Sequence, residues 1–182
     1  MSIYLDIETT NLTGDIGILV CVGLILSNGE EKFFFVSRPK EEKQVLEEVM
    51  GLLENLKDEE IYVWNSSFDI PFLLTRAVKH QVDATVLFRL KIVDLCRFCR
   101  ENLKLSSNKL DEVSKFLDLS KNLKVTGKNI QELYLQFLQG EEDKKEEIIR
   151  HCLDDLLRLK EIHKKMEKYV EFWKTLNKKP LF

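Results

Sequence analysis

Residues 3–8 read IYLDIE, and the way these six side chains divide decides the fold. Successive side chains of an extended segment point to opposite faces. Ile3, Leu5 and Ile7 therefore share one face, and Tyr4, Asp6 and Glu8 the other. A second apolar run covers Ile16 to Leu26 and reads as a strand despite Gly17 and Gly23. Ser27-Asn28-Gly29-Glu30 follows, and Asn-Gly is the strongest short hairpin signal. Lys32 to Ser37 reads as the returning strand, so the chain opens with a three-stranded antiparallel meander.

Beyond the meander the period changes. Lys40 to Leu56 carries Val45, Leu46, Val49, Leu52, Leu53 and Leu56 at helical spacing. Ile61 to Trp64 is a short buried strand, and Ser67 to His80 a helix with Pro71 in its first turn, where proline is tolerated. Lys91 to Leu95 reads as a fifth strand. Helices follow at Leu110 to Leu119, at Ile130 to Leu138 ended by Gly140, and from about Lys144 to Trp173, with a loop around Gly127 at Asn122 to Lys128. A meander followed by alternating helices and strands predicts an α/β fold: a mixed five-stranded sheet, antiparallel first and then parallel, flanked by helices. No repeat or linker divides the 182 residues, so one domain over 1–182 is expected.

Composition narrows the class. Hydrophobic residues make up 44% and charged residues 32%, an ordinary globular balance. No apolar run reaches the ~18–20 residues of a membrane span, and the N-terminus lacks a secretory signal pattern, so a cytoplasmic protein is expected. Cys21, Cys96, Cys99 and Cys152 do not form a disulfide framework; Cys96 and Cys99 make one C-x-x-C without the second pair that structural zinc needs, and read as reduced thiols on a helix. A net charge of −3 argues against coating nucleic acid by electrostatics alone. It leaves room for an enzyme of short strands, because bound cations reverse the sign of an acidic cleft.

Three places carry chemistry. Asp6 and Glu8 on one face of a central strand are costly to bury unpaired. They read either as the solvated face of an edge strand or as ligands for a hard cation. Trp64-Asn65-Ser66-Ser67-Phe68-Asp69 lies where a strand gives way to a helix, the end of an open α/β sheet at which ligands collect. Asp69 alone reads equally as a helix cap or dipole partner. His151-Cys152-Leu153-Asp154-Asp155 lies in the last helix. At about 100° per residue, Ile148, Cys152, Leu156, Leu159, Ile162 and Met166 form an apolar arc that includes Asp155. Asp154 falls nearly opposite, four residues from Arg150 and Arg158, and reads as an exposed, helix-pairing carboxylate. His151, one turn before Asp155, reads as a site residue or as a buried, hydrogen-bonded histidine.

Together YLDIETT, NSSFDIPFL and HCLDD, in that order, resemble the three motifs of the DEDD exonuclease superfamily. His151 stands four residues before Asp155, whereas one branch of that superfamily places Tyr at four and the other His at five. The combination found here looks like the YprB-like group of RNase H-like exonucleases. The resemblance implies an RNase H-like fold and two-metal phosphodiester hydrolysis at the 3′ end of single-stranded DNA or RNA. It implies two divalent cations, Mg²⁺ or Mn²⁺, an all-oxygen preference. Asp6, Glu8 and Asp155 would hold the metal that activates water; Asp6 would also touch the second, with Asp69 holding it directly or through water. His151 would orient or deprotonate the attacking water, and Asn65 and Thr9 would position the strand. Phe68 and Leu12 would wedge against a terminal base, although Phe68 suits the core equally.

Between the second and third motifs Arg97, Arg100, Lys104, Lys109, Lys115, Lys121, Lys124 and Lys128 outnumber four acidic residues. They line a path for the phosphate backbone or form solvated helix faces. Three other readings compete: a non-catalytic module binding nucleic acid or a protein partner, an endonuclease on the same fold, and an interaction protein with merely superficial carboxylates. The last leaves Asp155 in an apolar arc unexplained.

Overall fold

In the computed structural model, which describes residues 2–119 and 130–176, IYLDIE lies in the middle strand of a five-stranded sheet. β1 (Ser2–Thr9), β2 (Leu19–Ile25) and β3 (Glu31–Phe35) form the antiparallel meander. β4 (Glu60–Val63) and β5 (Lys91–Asp94) join the other edge of β1 in parallel, giving the order β3-β2-β1-β4-β5. This is the mixed α/β sheet that the patterning predicts. The β2–β3 turn uses its glycine as expected: Gly29 has φ +86°, a left-handed conformation open to glycine at no steric cost. The Leu26 N–H donates to the Glu30 carbonyl at 2.8 Å and closes the loop.

Helices cover both faces. α1 (Glu42–Leu56, entered through a 3₁₀ turn at Pro39–Glu41) and α2 (Ser66–His80) pack against Ile3, Leu5 and Ile7. The Tyr4 face meets α3 (Leu95–Asn102), α4 (Leu110–Phe116), α5 (Ile130–Leu138) and α6 (Asp143–Leu176). The alternation along β1 thus divides two apolar cores. All four cysteines are buried free thiols. Among the described residues no helix is long and apolar enough to cross a membrane.

Two expectations need correction. The second strand starts at Leu19, because residues 10–18 double back as a loop: the Thr10 N–H donates to the Ile18 carbonyl at 3.0 Å and the Gly17 N–H to the Thr13 carbonyl at 2.8 Å. Ile16 is left exposed on that loop. α4 stops at Phe116, since Asp118 turns left-handed at φ +54° and breaks the helical ladder. The loop expected at Asn122 to Lys128, with Lys121, lies outside the described residues.

Gly23 sets the distance between α6 and the sheet. A Cβ there would lie 2.5 Å from Cys152 Sγ and 2.8 Å from Leu156 Cδ1, closer than real contacts allow. Without a side chain, β2 lets α6 settle onto it beside β1, where Gly23 is the register partner of Asp6. A buried ion pair pins the β1–β2 loop. Arg76 donates to both oxygens of Glu42, at 2.7 and 2.5 Å, and to the Gly14 carbonyl at 2.8 Å. Glu42 also accepts from the Leu19 N–H at 2.9 Å and meets His80 Nε2 at 2.9 Å. The pair is fully satisfied, as a buried charge must be.

Candidate active site

The three motifs meet at the carboxyl end of β1 and β4. β1 delivers Asp6 and Glu8, the first turn of α2 delivers Asp69, and α6 delivers His151 and Asp155. One ligand atom from each of Glu8, His151 and Asp155 lies within 4.8 Å of the others, and the same holds for Asp6, Glu8 and Cys152. His151 Nδ1 is 3.0 Å from Glu8 Oε1 and 3.9 Å from Asp155 Oδ2.

Electrostatics within the cluster is repulsive. Burial pushes the Asp6 carboxyl well above the usual carboxylate range, and Glu8, Asp155 and Asp69 push it further. Asp69 is raised in the same way, by burial first and then by Asp94 and Glu8. Asp155 is raised to about 6 by burial, against the pull of Arg158 and His151. His151 is raised to about 9, chiefly by its hydrogen bond to Glu8. Asp69 is buried, and its Oδ2 has no hydrogen-bond partner. A buried orphan acceptor calls for an explanation. Asp69 belongs to neither of the two close groups, and its nearness to them is felt through charge; the carboxylates of those groups, with Asp69 at their edge, are a donor set that fits a hard divalent cation.

The Asp69 turn is held by a residue that sequence reasoning passed over. Asp94, the last residue of β5, caps α3 by accepting from the Arg97 N–H at 2.9 Å. It also accepts from the Asn65 and Ser66 N–H groups at 3.2 and 2.8 Å and from Ser66 Oγ at 2.8 Å. One carboxylate thus ties the ends of two parallel strands together and fixes Asn65 in its left-handed conformation, φ +74°. Its sequence signal was an Asp between a strand and an amphipathic stretch, a helix-start pattern. Asn65 Oδ1 accepts from Ser67 Oγ at 2.9 Å and from Arg100 Nη2 at 3.3 Å.

The neighbouring carboxylates of α6 reverse the exposure expected from the helical wheel. Asp154 is buried, and Asp155 is only half-buried. Asp154 Oδ2 pairs with Arg158 Nη2 at 3.0 Å, and the same guanidinium binds Asp155 Oδ1 and Asp111 Oδ1 of α4. α4 lies over the flank that a lone helix would expose, so the wheel assigned Asp154 to solvent wrongly. Arg158 leaves Asp155 Oδ2 turned towards His151.

The remaining expected residues scatter. Phe68 is half-buried and packs into the first core, with its ring centroid 5.6 Å from that of Phe72. Thr9 Oγ1 donates to the Asn11 carbonyl at 2.8 Å. Leu12 is 82% exposed on the β1–β2 loop. Of the basic stretch, Arg97 is paired with Glu101 and Lys115 with Glu112, as in solvated helix faces. Lys121, Lys124 and Lys128 lie outside the described residues.

Fold and site define an α/β domain of the RNase H-like class, and the family comparison agrees. Residues 3–167 match the family model described as the RNase_H superfamily, and the chain belongs to that superfamily. The structure is similar to that of the family B DNA polymerase from the hyperthermophilic archaeon Pyrobaculum calidifontis, with a TM-score of 0.75 and 20% identity. That likeness covers 91% of this chain and 24% of the polymerase, so the chain corresponds to about a quarter of the larger protein's length. No curated protein matches the sequence.

Proposed function

We propose that the chain acts as one domain over residues 1–182, a 3′–5′ exonuclease that hydrolyses phosphodiester bonds at single-stranded DNA or RNA ends with two divalent cations, Mg²⁺ or Mn²⁺. The observation that carries this reading is Asp69 Oδ2, buried without a partner beside Asp6 and Glu8, whose charges it must share. Asp6, Glu8, Asp69 and Asp155 would hold the cations. When bound, two such ions clamp the attacking and leaving oxygens of an in-line displacement. Arg158 would keep Asp155 in one rotamer with Oδ2 as its free ligand atom. His151, tied to Glu8 through Nδ1, would present Nε2 to the attacking water and orient it, and would take its proton where cations at Glu8 and Asp155 draw off the negative charge that keeps the ring protonated. Asn65, Phe68, Thr9 and Leu12 would border the strand end, and the three-motif pattern with His four residues before Asp155 supports the YprB-like affinity.

The test uses 5′-labelled single-stranded DNA and RNA with Mn²⁺, beside Asp6→Asn and an EDTA control. A metal-dependent ladder of shortening labelled products, absent with Asp6→Asn, is the expected result and selects the sugar. Absence of cleavage together with absence of Mn²⁺ binding by calorimetry would overturn the reading in favour of a binding module. Cutting of a circular substrate would favour an endonuclease instead.

A further inference from the structure

Arg100 differs from the other arginine of its helix. Arg97 is neutralised by Glu101 at 2.7 Å, whereas Arg100 is exposed and has no carboxylate partner among the described residues. Its hydrogen bond goes to the neutral amide of Asn65, four residues before Asp69 at the same end of β4. A guanidinium has donors only. Together with Ser67 Oγ, which also donates to Asn65 Oδ1, it fixes which way the amide is turned. The two Nδ2 protons are then left as donors, and they have no partner among the described residues. Asp94 holds the backbone beneath, so the amide is fixed at both ends. An unneutralised fork and an oriented amide side by side make a cationic donor pair at the rim of an otherwise acidic cluster, which is what a phosphate oxygen requires.

We infer that Arg100 and Asn65 form a backbone-phosphate subsite that holds the substrate strand close to the carboxylate cluster. The subsite deepens the nuclease reading and rests on it for its substrate. Arg100 supplies charge and one arm of the fork, Asn65 supplies neutral donors, and Ser67 and Asp94 keep Asn65 in place. The subsite reads phosphate rather than base, so it serves strands of any sequence.

The experiment measures binding and cleavage separately. A fluorescein-labelled single-stranded oligonucleotide is titrated by anisotropy in Ca²⁺ over a salt series, with wild type, Arg100→Gln, Arg100→Lys and Asn65→Ala. Melting curves check the fold of each variant. Arg100→Gln is expected to weaken binding roughly tenfold, the loss of one charge-assisted hydrogen bond. It should also flatten the log K against log salt slope by about 0.7, one phosphate contact on a single strand. Arg100→Lys should keep the slope and recover only part of the affinity, because an ammonium lacks the fork that orients Asn65. Oligonucleotides with single neutral methylphosphonate linkages then locate the contact. One linkage should cost wild type the same factor and cost Arg100→Gln nothing further, the non-additivity of a shared interaction. An unchanged slope, additive losses, or a wild type that binds no strand overturns the subsite. A wild type that binds with the expected slope and does not cleave in Mn²⁺ overturns the exonuclease reading and leaves the subsite standing.

Discussion

Asp69 is held at this site against its own electrostatics. Its carboxyl is buried, raised by Asp94 and Glu8, and orphaned at Oδ2. Asp69→Asn should therefore stabilise the metal-free protein at pH 8, while abolishing the rise in Tm expected of wild type with Mn²⁺. Calorimetric melting with and without Mn²⁺ reads both, and a destabilised apoprotein would mean that Asp69 is a structural cap. Asp6→Asn should lower the cleavage rate by about a thousandfold or more, since a ligated cation contributes several kcal/mol at the transition state. Such candidate residues were legible wherever a carboxylate broke an apolar pattern, as Asp6, Glu8 and Asp155 do. The pairing of Arg158 with Asp154 was legible from their spacing; the hold of Arg158 on Asp111 and Asp155, and the part played by Asp94, were not, because a charged residue at a helix flank or strand end has many ordinary explanations.

At the level of elements, the site exists because α6 lies directly on β2. Gly23 permits that approach, and Gly23→Val would drive a side chain into Cys152 and Leu156. Overpacking of this kind costs about 1–3 kcal/mol. It should also lift His151 and Asp155 away from Glu8, so activity should fall further than stability alone requires; rates measured well below Tm separate the two effects. The β1–β2 loop depends on Arg76 in the same way. Arg76→Met leaves Glu42 buried with only the Leu19 N–H and His80 as partners, at a cost of about 3 kcal/mol. Denaturant unfolding should show that loss, and replacing Glu42 as well, with Gln, should restore part of it. Gly23 was visible in the sequence only as an interruption of an apolar run, and the helix it admits begins 120 residues further along.

For the whole molecule, the sign of the pH dependence follows from the cluster. Asp155 is raised to about 6 and His151 to about 9, and Asp6 and Asp69 are raised as well. A group raised in the folded state stabilises fully below its unfolded value and ceases to do so as pH passes its folded value. For Asp155 the loss runs from about pH 4 to 6, and for His151 from about pH 6.5 to 9. These groups should therefore draw stability from the metal-free protein between pH 4 and pH 9, against an opposite contribution from His163, whose pKa burial lowers and which gains stability as pH rises to about 6.5. Saturating Mn²⁺ should oppose this, because cations bind the deprotonated ligands and only the folded state assembles them. Tm measured across that range with and without Mn²⁺ should give diverging curves; parallel curves would count against a metal centre.

The sequence by itself determined the mixed sheet, because alternation and helical periodicity are local properties that each segment carries alone. It also marked Asp6, Glu8, Asp69, His151 and Asp155, since polar groups on apolar faces stand out without a partner in view. The tertiary structure decided which carboxylate of the Asp154–Asp155 pair is buried, because α4 covers a flank that no helical wheel contains. It likewise decided that Arg158 holds three carboxylates, that Asp94 ties two strand ends together, and that Arg100 faces Asn65. Apart from the local pairs of Arg158 with Asp154 and Asp155 along one helix, these are contacts between different elements, and such contacts exist only once packing has brought the elements together.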